Sequence, residues 1–435
     1  MGELSNIMWW EDTKNLGSKP GLESIEVLLE LMGLPQNGYK SIHVTGTNGK
    51  GSTSAMAASI LRASGYSVGL FTSPHLSNWT ESIVVDGNEI TEDEMGKILG
   101  TVRAKAGELE SVEVRHPTHF EVLVAACFLY FRERGVDYAV IEVGMGGRDD
   151  ATNVIPSNVS VLTNVSLEHT AWLGDTVEKI AEVKSGILRD GTALVTASIQ
   201  SEVIEVLEKT VQEKKSKLIR VGLDYIPVPS KIDLTGQTFH LSTPTGMIND
   251  LEIPLLGVHQ VLNASCSVAA VEQLDDQRVT ERHIRDGLKT VVWPGRFEIM
   301  ERRPLVILDG AKDMKAAQRL TETVKMYLPG LDLFTVISTS SDKDFDGMVR
   351  SLADVTGRFI ITEHRVKSRT ASAEQIEEAV KKTGVPYEIV LPVHKAIDTA
   401  KSYALEEDAV LVAGSVFLVG EAREYWYPPH SMSSG

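Results

Sequence analysis

Short apolar runs alternate with amphipathic stretches through most of the chain. Ser41 to Thr45 has the composition of a buried strand, and a glycine-rich turn leads from it into an Ala/Leu-rich helix over Ser52 to Ala63. The alternation recurs with strands at Tyr138 to Val143 and Val159 to Thr163, and with helices at Phe120 to Arg134 and Val177 to Leu188. Because strands that alternate with helices pair in parallel, the pattern predicts an α/β fold with helices on both faces of a parallel sheet.

Residues 217–257 interrupt this alternation. Thr238 to Leu241 and Leu251 to Ile253 flank a turn region rich in Gly, Asn and Asp. This arrangement predicts an antiparallel hairpin at the edge of the domain. A helix around Ala264 to Leu274 is expected to follow it.

A domain boundary is predicted at Trp293 to Arg296, because Pro294 and Gly295 break the patterns on both sides. The alternation then restarts with strands at Leu305 to Leu308, Leu333 to Ser338, Phe359 to Thr362 and Ala409 to Ala413, and with helices at Met314 to Met326, Phe345 to Ala353 and Ala373 to Thr383. We therefore expect one α/β domain over residues 1–293 and a smaller one over residues 294–435.

Composition narrows the class of protein. The 435 residues include 43 basic and 60 acidic side chains, a net charge of −17, which argues against nucleic acid or a membrane surface as partner. Two cysteines exclude a disulfide scaffold and a cysteine-based metal cluster. Since no apolar run approaches ~18 residues and the stretch MGELSNIMWWEDTK is acidic, we expect neither a membrane span nor a signal peptide, and hence a cytoplasmic enzyme. The polar tail, Ser431 to Gly435, is expected to be mobile.

The turn after the first strand has the parts of a phosphate-binding loop. It consists of Gly46, Thr47, Asn48, Gly49, Lys50, Gly51 and Ser52. Glycines let successive backbone N–H groups face a polyphosphate, Lys50 supplies charge for the outer phosphates, and the Ser52 hydroxyl suits Mg²⁺. The spacing is shorter than in the usual G-x-x-x-x-G-K-[ST] motif, yet strand, loop and helix occur in the right order. The alternative, an ordinary glycine-rich turn, is disfavoured for that reason.

The loop sequence IHVTGTNGKGS resembles that of the folylpolyglutamate synthase branch of the Mur ligase family. Further stretches agree in order and spacing: FTSPHL, EVGMGGRDDATN, TNVSLEHTAWLGDTVEKIAEVKSGI, GVHQVLNA, WPGRFE, LDGA, SDKD and AGSVFLVGE. The resemblance implies a P-loop-containing Mur ligase-like central domain and a C-terminal ligase domain that closes over ATP. It also implies a reaction in which ATP converts a substrate carboxylate to an acyl phosphate.

The resemblance implies two magnesium sites. Glu142 ends an apolar run, which places a carboxylate at the carboxyl edge of the sheet, where ligands of α/β proteins bind. By resemblance Ser52 and Glu142 hold one Mg²⁺, while Ser73, Glu142 and His169 hold the second. Lys184 matches a lysine that is carbamylated in many members; a helix-surface lysine is the alternative reading. Lys50, His169 and Lys184 are accordingly the expected catalytic residues.

The nucleotide is expected between the two domains. By resemblance Asn263 lies near the base, Arg296 reaches the phosphates and Asp309 holds the ribose. His75 and Ser415 match substrate-side positions, Ser415 lying near the incoming glutamate. A linker salt bridge for Arg296 and a strand-end turn for Asp309 are the structural alternatives.

The chain departs from the family pattern on the acceptor side. Glutamate-adding members carry Asp-x-Ala-His-Asn-Pro, whereas this chain reads Asp309 to Met314 as DGAKDM, with Lys312 on the substrate side. Where relatives have Glu-Arg-Ile, it has Glu81-Ser82-Ile83. Loss of an arginine removes charge and bidentate geometry, and Asp313 would repel a dicarboxylate.

These departures favour an acceptor other than free glutamate. The sequence is expected to encode a monomeric ATP- and Mg²⁺-dependent ligase acting on a small carboxylic acid. The preferred reaction is cyclisation of a propionate side chain on a nickel tetrapyrrole, as in the methanogen synthesis of coenzyme F(430), where an intramolecular acceptor needs no amino-acid pocket. The alternative enzyme is a dihydrofolate or folylpolyglutamate synthase that adds L-glutamate to a folate. An ATP-sensing protein on an inactive ligase scaffold is the non-enzymatic alternative.

Overall fold

The computed structural model describes residues 2–17, 19, 21–341, 343–366 and 369–428. The predicted mobile tail and Asp342 of the SDKD motif lie outside these residues. None of the described helices is long and apolar enough to cross a membrane.

The described strands form three sheets. In chain order they are β1 Lys40–Thr45, β2 Val68–Phe71, β3 Ile83–Val85, β4 Asn88–Glu89, β5 Tyr138–Glu142, β6 Val159–Leu162, β7 Ala193–Thr196, β8 Lys217–Arg220, β9 Ile226–Asp233, β10 Gly236–Thr243, β11 Gly246–Ile253, β12 Glu298–Arg302, β13 Leu305–Asp309, β14 Leu333–Ile337, β15 Arg358–Ile361, β16 Tyr387–Ile389 and β17 Ala409–Ala413.

The α-helices of the described residues fill the segments between the strands. They are α1 Glu3–Asp12, α2 Glu23–Leu31, α3 Lys50–Ala63, α4 Glu92–Ala106, α5 His119–Glu133, α6 Thr170–Leu173, α7 Val177–Ser185, α8 Ser201–Glu213, α9 Val258–Glu272, α10 Glu281–Lys289, α11 Met314–Tyr327, α12 Phe345–Ala353, α13 Ala373–Lys381, α14 Val393–Tyr403 and α15 Val416–Arg423.

The first lobe is built on an eight-stranded sheet with the order β4-β3-β2-β5-β1-β6-β7-β8. Its strands run parallel except β3 and β4, which add to one edge antiparallel. Ile42, Val140 and Val161 face a core shared with α3 and α9, while Phe71 and Ile141 face a core shared with α4 and α5. Helices therefore cover both faces, and the predicted α/β class is confirmed.

The predicted antiparallel hairpin is confirmed as β10 and β11, but it belongs to a larger sheet than expected. Strands β9, β10 and β11 form a separate antiparallel sheet, and β10 turns into β11 at Pro244 and Thr245. Alternate side chains, including Phe239, Leu241 and Leu251, enter the core beside α9. Because one face of this sheet is apolar, it covers the helical layer instead of extending the main sheet. Strand β8 extends the main sheet in its place.

The second lobe contains a six-stranded sheet with the order β12-β13-β17-β14-β15-β16. All its strands run parallel except β12, which pairs antiparallel with β13. Helices α11, α12 and α13 pack on one face, and α14 and α15 pack on the other. The carboxyl ends of β13 and β17 face the first lobe; β13 ends at Asp309, and Ser415 lies two residues after β17.

Candidate active site between the two lobes

The phosphate-loop residues connect β1 to α3, as predicted. Gly46 and Gly49 have φ values of 144° and 85°. A Cβ atom on Gly46 would lie 1.9 Å from the Thr163 hydroxyl, and one on Gly49 would lie 2.4 Å from Asn263 Oδ1. Since larger residues would clash at both places and strain the backbone, glycine is required by the fold as well as by a phosphate ligand.

The loop is supported by the segment that follows β6. The Thr163 hydroxyl and the Asn164 amide donate to the Asn48 carbonyl oxygen at 2.7 and 2.8 Å. The Thr47 hydroxyl accepts from the Ser166 backbone N–H at 3.0 Å. These supporting residues were not assigned from the sequence. They lie within the TNVSLEH stretch, but the adjacency of β6 to β1 gives them their role.

Four cations line the cleft between the lobes: Lys50, Arg296, Lys312 and Arg319. Lys50 Nζ donates to the Gly46 carbonyl at 3.0 Å, and Arg296 Nη1 donates to the Gly295 carbonyl at 2.9 Å. Lys312 lines the same cleft and forms no hydrogen bond or ion pair within the part of the chain that the structure describes. None of the four is bonded to a carboxylate among those residues, so the cleft is suited to a polyanion. The structural alternative for Arg296, a linker salt bridge, is therefore not observed among them, and its contact with phosphates stays a prediction.

Glu142 is buried at the end of β5, beside the start of α3. Its Oε2 accepts the Ser73 backbone N–H at 3.1 Å, and a Cβ atom on Gly51 would lie 3.4 Å from the same oxygen. Burial raises the pKa of this carboxyl, while the charges of Lys50, Lys312 and Arg296 oppose the rise. The structure thus brings Glu142 to Ser73 and to the first turn of α3, which carries Ser52.

The donor set at Glu142 fits magnesium. No cluster of three or more His, Cys, Asp or Glu suited to a metal occurs among the described residues. Mg²⁺ does not need such a cluster, because it binds through one or two carboxylates together with substrate phosphates and water. The Ser52 hydroxyl, buried at 3% exposure, and the Glu142 carboxylate are oxygen donors beside the phosphate loop. Ligation itself stays a prediction.

Lys184 pairs with a residue that the sequence analysis did not single out. Its Nζ lies 2.6 Å from Glu168 Oε1, and its side chain is 1% exposed. Burial would raise the pKa of Glu168, but the Lys184 and Lys50 ammonium groups hold that pKa well below its usual value. The lysine is therefore buried, and the alternative of a helix-surface lysine is excluded. Its carbamylation stays a prediction.

His169 and His75 occupy different surroundings. His169 is exposed and has a left-handed backbone, with φ 44°, at the start of α6. Its place in a second metal site stays a prediction. His75 is half-buried, and burial together with Lys14 lowers the pKa of its imidazole. It lies near His119, which stacks on Trp10 with ring centroids 4.4 Å apart, so it faces an aromatic cluster at the end of α1.

The residues predicted to hold the nucleoside surround the same cleft. Asn263 is buried and donates to Gln260 Oε1 at 2.9 Å, and it lines an adjoining cavity of about 240 Å³. Both oxygens of Asp309 accept backbone N–H groups at 2.8 Å, from Phe297 and Ala311. Asp309 thus organises the turn after β13, which was its structural alternative. Binding of ribose by Asp309 stays a prediction.

The changed residues after Asp309 have local structural roles. Asp313 is the N-cap of α11, and its Oδ1 accepts the Ala316 backbone N–H at 2.9 Å. Met314 is the first helical residue. Asn caps as well as Asp, and Pro is favoured at the first helical position, so the family's Asn-Pro and this chain's Asp-Met perform the same local task. Asp313 therefore has a structural role at the helix end, and repulsion of a dicarboxylate by it stays a prediction.

Ser82 and Ser415 are both buried. Ser82 precedes β3, where its carbonyl accepts the Thr72 N–H at 3.2 Å. The neighbouring Glu81 accepts the backbone N–H groups of Leu76 and Ser77, which fixes the end of the FTSPHL loop. Ser415 caps α15 through its hydroxyl, which accepts the Phe417 N–H at 3.2 Å. Nothing in these contacts replaces the arginine that relatives carry at Ser82.

Comparisons with known proteins identify two Mur ligase domains in this chain. The Mur ligase middle domain model matches residues 44–271, and the Mur ligase glutamate ligase domain model matches residues 295–416. The dihydrofolate synthase/folylpolyglutamate synthase of Bacillus subtilis is 31% identical over 421 residues, covering 96% of this chain and 97% of that protein.

Solved structures of related proteins resemble this chain over nearly its whole length. A Mycobacterium tuberculosis folylpolyglutamate synthase complexed with ADP superposes with a TM-score of 0.92 at 30% identity, covering 98% of this chain and 99% of that one. An Escherichia coli FolC complexed with DHPP and ADP superposes with a TM-score of 0.88 at 31% identity, covering 97% of each chain.

Proposed function

The chain belongs to the Mur ligase family, and from this premise we propose that it adds L-glutamate to a folate-type carboxylate at the expense of ATP. It is an ATP-dependent ligase, so the non-enzymatic alternative is not retained. The observation that carries the finer proposal is the similarity to dihydrofolate and folylpolyglutamate synthases over nearly the whole length of both chains.

The cleft supports the first half of such a reaction. A carboxylate oxygen of the substrate attacks the γ-phosphorus of ATP, the bond to the bridging oxygen breaks, and ADP leaves with the electron pair. Two anions must approach each other in this step, and the cations Lys50, Arg296 and Lys312 lining the cleft reduce their repulsion. Magnesium held by Ser52 and Glu142 would supply further charge neutralisation there.

In the second half, the amine of glutamate attacks the acyl carbon. The C–O bond to phosphate breaks, inorganic phosphate leaves with the electron pair, and the amine loses a proton as the amide forms. Ser415, buried at 3% exposure at the start of α15, is the residue of this chain proposed to lie near the incoming glutamate.

The tetrapyrrole cyclisation preferred from the sequence has no support among the relatives described above. It rested on acceptor-side residues that depart from the family pattern. Two of them, Asp313 and Met314, form an N-terminal cap equivalent to the family's Asn-Pro. Lys312 and Ser82 remain as departures, and we assign them to differences within a glutamate-adding site. Magnesium dependence, a monomeric state and a cytoplasmic location stay predictions.

A coupled assay tests the proposal. The purified protein is incubated with MgATP and either 7,8-dihydropteroate or a reduced folate, with and without L-glutamate, and ADP and product mass are measured. We expect ADP formation that saturates with glutamate and a product heavier by one glutamyl residue. Absence of that product with both acids, in a preparation that binds ADP by calorimetry, would overturn the glutamate ligase.

A further inference from the structure

Lys312 occupies an unusual position in the cleft. It lies in the turn between β13 and α11, in the second lobe. It lines the cleft together with the nearby Arg296 and with Lys50, Ser73 and Glu142 of the first lobe. It forms no hydrogen bond or ion pair with any other described residue. Lys312 is half-buried in the cleft, and a cation that is partly withdrawn from water gains from a nearby anion, so the position favours binding of an anion there.

The charges around Lys312 lead to the same conclusion. Burial lowers the pKa of its ammonium group to about 8, and the Lys50, Lys343 and Arg296 cations contribute, while Glu168 opposes them. Glu168 is already committed to Lys184 at 2.6 Å, and Glu142 accepts the Ser73 N–H. Glu142, Glu168 and Asp309 partly compensate these cations at longer range, but none of them bonds Lys312 directly, so Lys312 stays available to an anionic ligand.

We propose that Lys312 binds the γ-phosphoryl group of ATP from the second lobe and stabilises its transfer to the substrate carboxylate. This inference rests on the proposed ligase reaction. In that transfer the oxygen–phosphorus bond to the carboxylate forms while the bond to the β-phosphate oxygen breaks, and ADP takes the electron pair. Lys312 contributes charge and moves no proton. It would replace by a cation the histidine that the family motif has at this position.

The surroundings favour the phosphoryl group over the carboxylate of an incoming amino acid. Lys50, the charge that most affects Lys312 after burial, belongs to the phosphate loop. Lys312 in turn affects the pKa of Glu142, the carboxylate beside the first turn of α3. Lys312 lines the same cleft as the phosphate loop but comes from the second lobe, so the site is complete only when both lobes face the nucleotide.

The test distinguishes binding of the γ-phosphate from binding of the rest of the nucleotide. Calorimetry measures the affinity of wild type and Lys312→Met for ADP and for the methylene analogue AMPPCP, each with Mg²⁺. We expect ADP affinity to stay within about threefold and AMPPCP affinity to fall by about tenfold or more. In a single turnover with ATP and folate but no glutamate, ADP formation should slow by about 10²-fold or more.

Two further variants serve as controls. Lys312→Arg keeps the charge and should recover much of the AMPPCP affinity. Lys315→Met removes an exposed lysine from the first turn of α11 and should leave every value unchanged. A raised KM for glutamate with unchanged single-turnover ADP formation in Lys312→Met would overturn the proposal, as would equal losses of ADP and AMPPCP affinity. Because calorimetry needs no acceptor, a missing glutamate ligase activity in wild type would leave this test intact.

Discussion

At the scale of single residues, Glu142 is a buried carboxylate that no lysine or arginine bonds directly in the described part of the chain. Burial raises its pKa, and only a backbone N–H and cations at longer range favour the ionised form. A buried carboxylate without an ion-pair partner lowers the stability of the fold, but it can bind a metal ion that also contacts phosphate. This energetic cost of the buried Glu142 carboxylate is a physical argument for the prediction that Ser52 and Glu142 bind Mg²⁺.

Replacing Glu142 by Gln should therefore separate stability from activity. We expect the melting temperature not to fall, because a buried charge is removed without loss of an ion pair. Turnover should fall by about 10²- to 10³-fold, because charge at the transferred phosphoryl group is no longer balanced. Thermal unfolding and ADP release measure the two effects. Unchanged turnover would remove Glu142 from the magnesium site.

His43 determines a second property at this scale, the response to acid. It is fully buried in β1, its Nε2 lies 2.8 Å from the Thr152 hydroxyl, and burial lowers the pKa of the ring to about 3. The unfolded chain takes up a proton below pH 6.5, whereas the folded chain does not until far lower pH. Protonation therefore favours unfolding as the pH falls below 6.5, by up to ~1.4 kcal/mol per pH unit.

The variant His43→Gln should lose less stability than wild type between pH 7 and pH 5. Denaturant unfolding at several pH values measures the difference, and the contribution of the buried His259 is common to both proteins. His394→Gln, at an exposed position of α14, is the matched control and should follow the wild-type curve. Parallel curves for wild type and His43→Gln would contradict the prediction.

At the scale of elements, the start of α11 shows how a departure from a motif can leave the structure unchanged. Asp313 has φ −145° and ψ 165°, an extended conformation that suits both an N-cap and a residue before proline. The family's Asn-Pro would fit the same backbone. Sequence comparison alone assigned this change to the acceptor, whereas the helix end explains it.

Capping makes a quantitative prediction for this helix. Asp313→Ala should cost about 1 kcal/mol of unfolding free energy, because the Ala316 N–H loses its acceptor. The double variant Asp313→Asn/Met314→Pro should keep both stability and turnover. Chemical denaturation and the ligase assay are the measurements. A large loss of turnover in the double variant would show that Asp313 takes part in the reaction.

At the scale of the whole molecule, the two lobes touch at a glycine. A Cβ atom on Gly420 in α15 would lie 1.8 Å from the Leu76 carbonyl oxygen, and the Ser77 hydroxyl donates to the Gly420 carbonyl at 3.3 Å. Leu76 and Ser77 end the loop that begins at Ser73, whose N–H is bonded to Glu142. The contact between the lobes is thus connected through one short loop to the proposed metal site.

Gly420→Ala should hold the lobes apart. We expect turnover to fall by roughly tenfold or more, because Lys312 and Ser415 would lie farther from the phosphate loop. ADP should still bind the loop. Small-angle scattering with AMPPCP should give a larger radius of gyration than wild type. Gly357→Ala, where a Cβ atom would meet only ordinary contacts, is the control. Wild-type scattering and turnover in Gly420→Ala would show that the contact is dispensable.

The fold class and the conformation of the phosphate loop could be predicted from the sequence, because both depend on short, local stretches of residues. The periods of apolar residues predicted β1, β5, β6, β13, β14, β15 and β17, mostly within a few residues of their bounds, but not β12 or β16. The glycines and lysine of residues 46–52 act within one turn. The predicted hairpin is present as β10 and β11, but its place in a separate sheet with β9 depends on which core these strands cover.

The pairings that complete the site were decided by tertiary structure. Strand order β5-β1-β6 brings Thr163 and Asn164 under a loop more than a hundred residues earlier in the chain, and places Glu142 beside α3. Glu168 meets Lys184 through the packing of two segments, and Lys312 reaches the cleft from another lobe. Local propensity determines which segments form strands and helices, but long-range packing determines which segments become neighbours. The charged groups of this site belong to different segments, so their interactions depend on the tertiary structure.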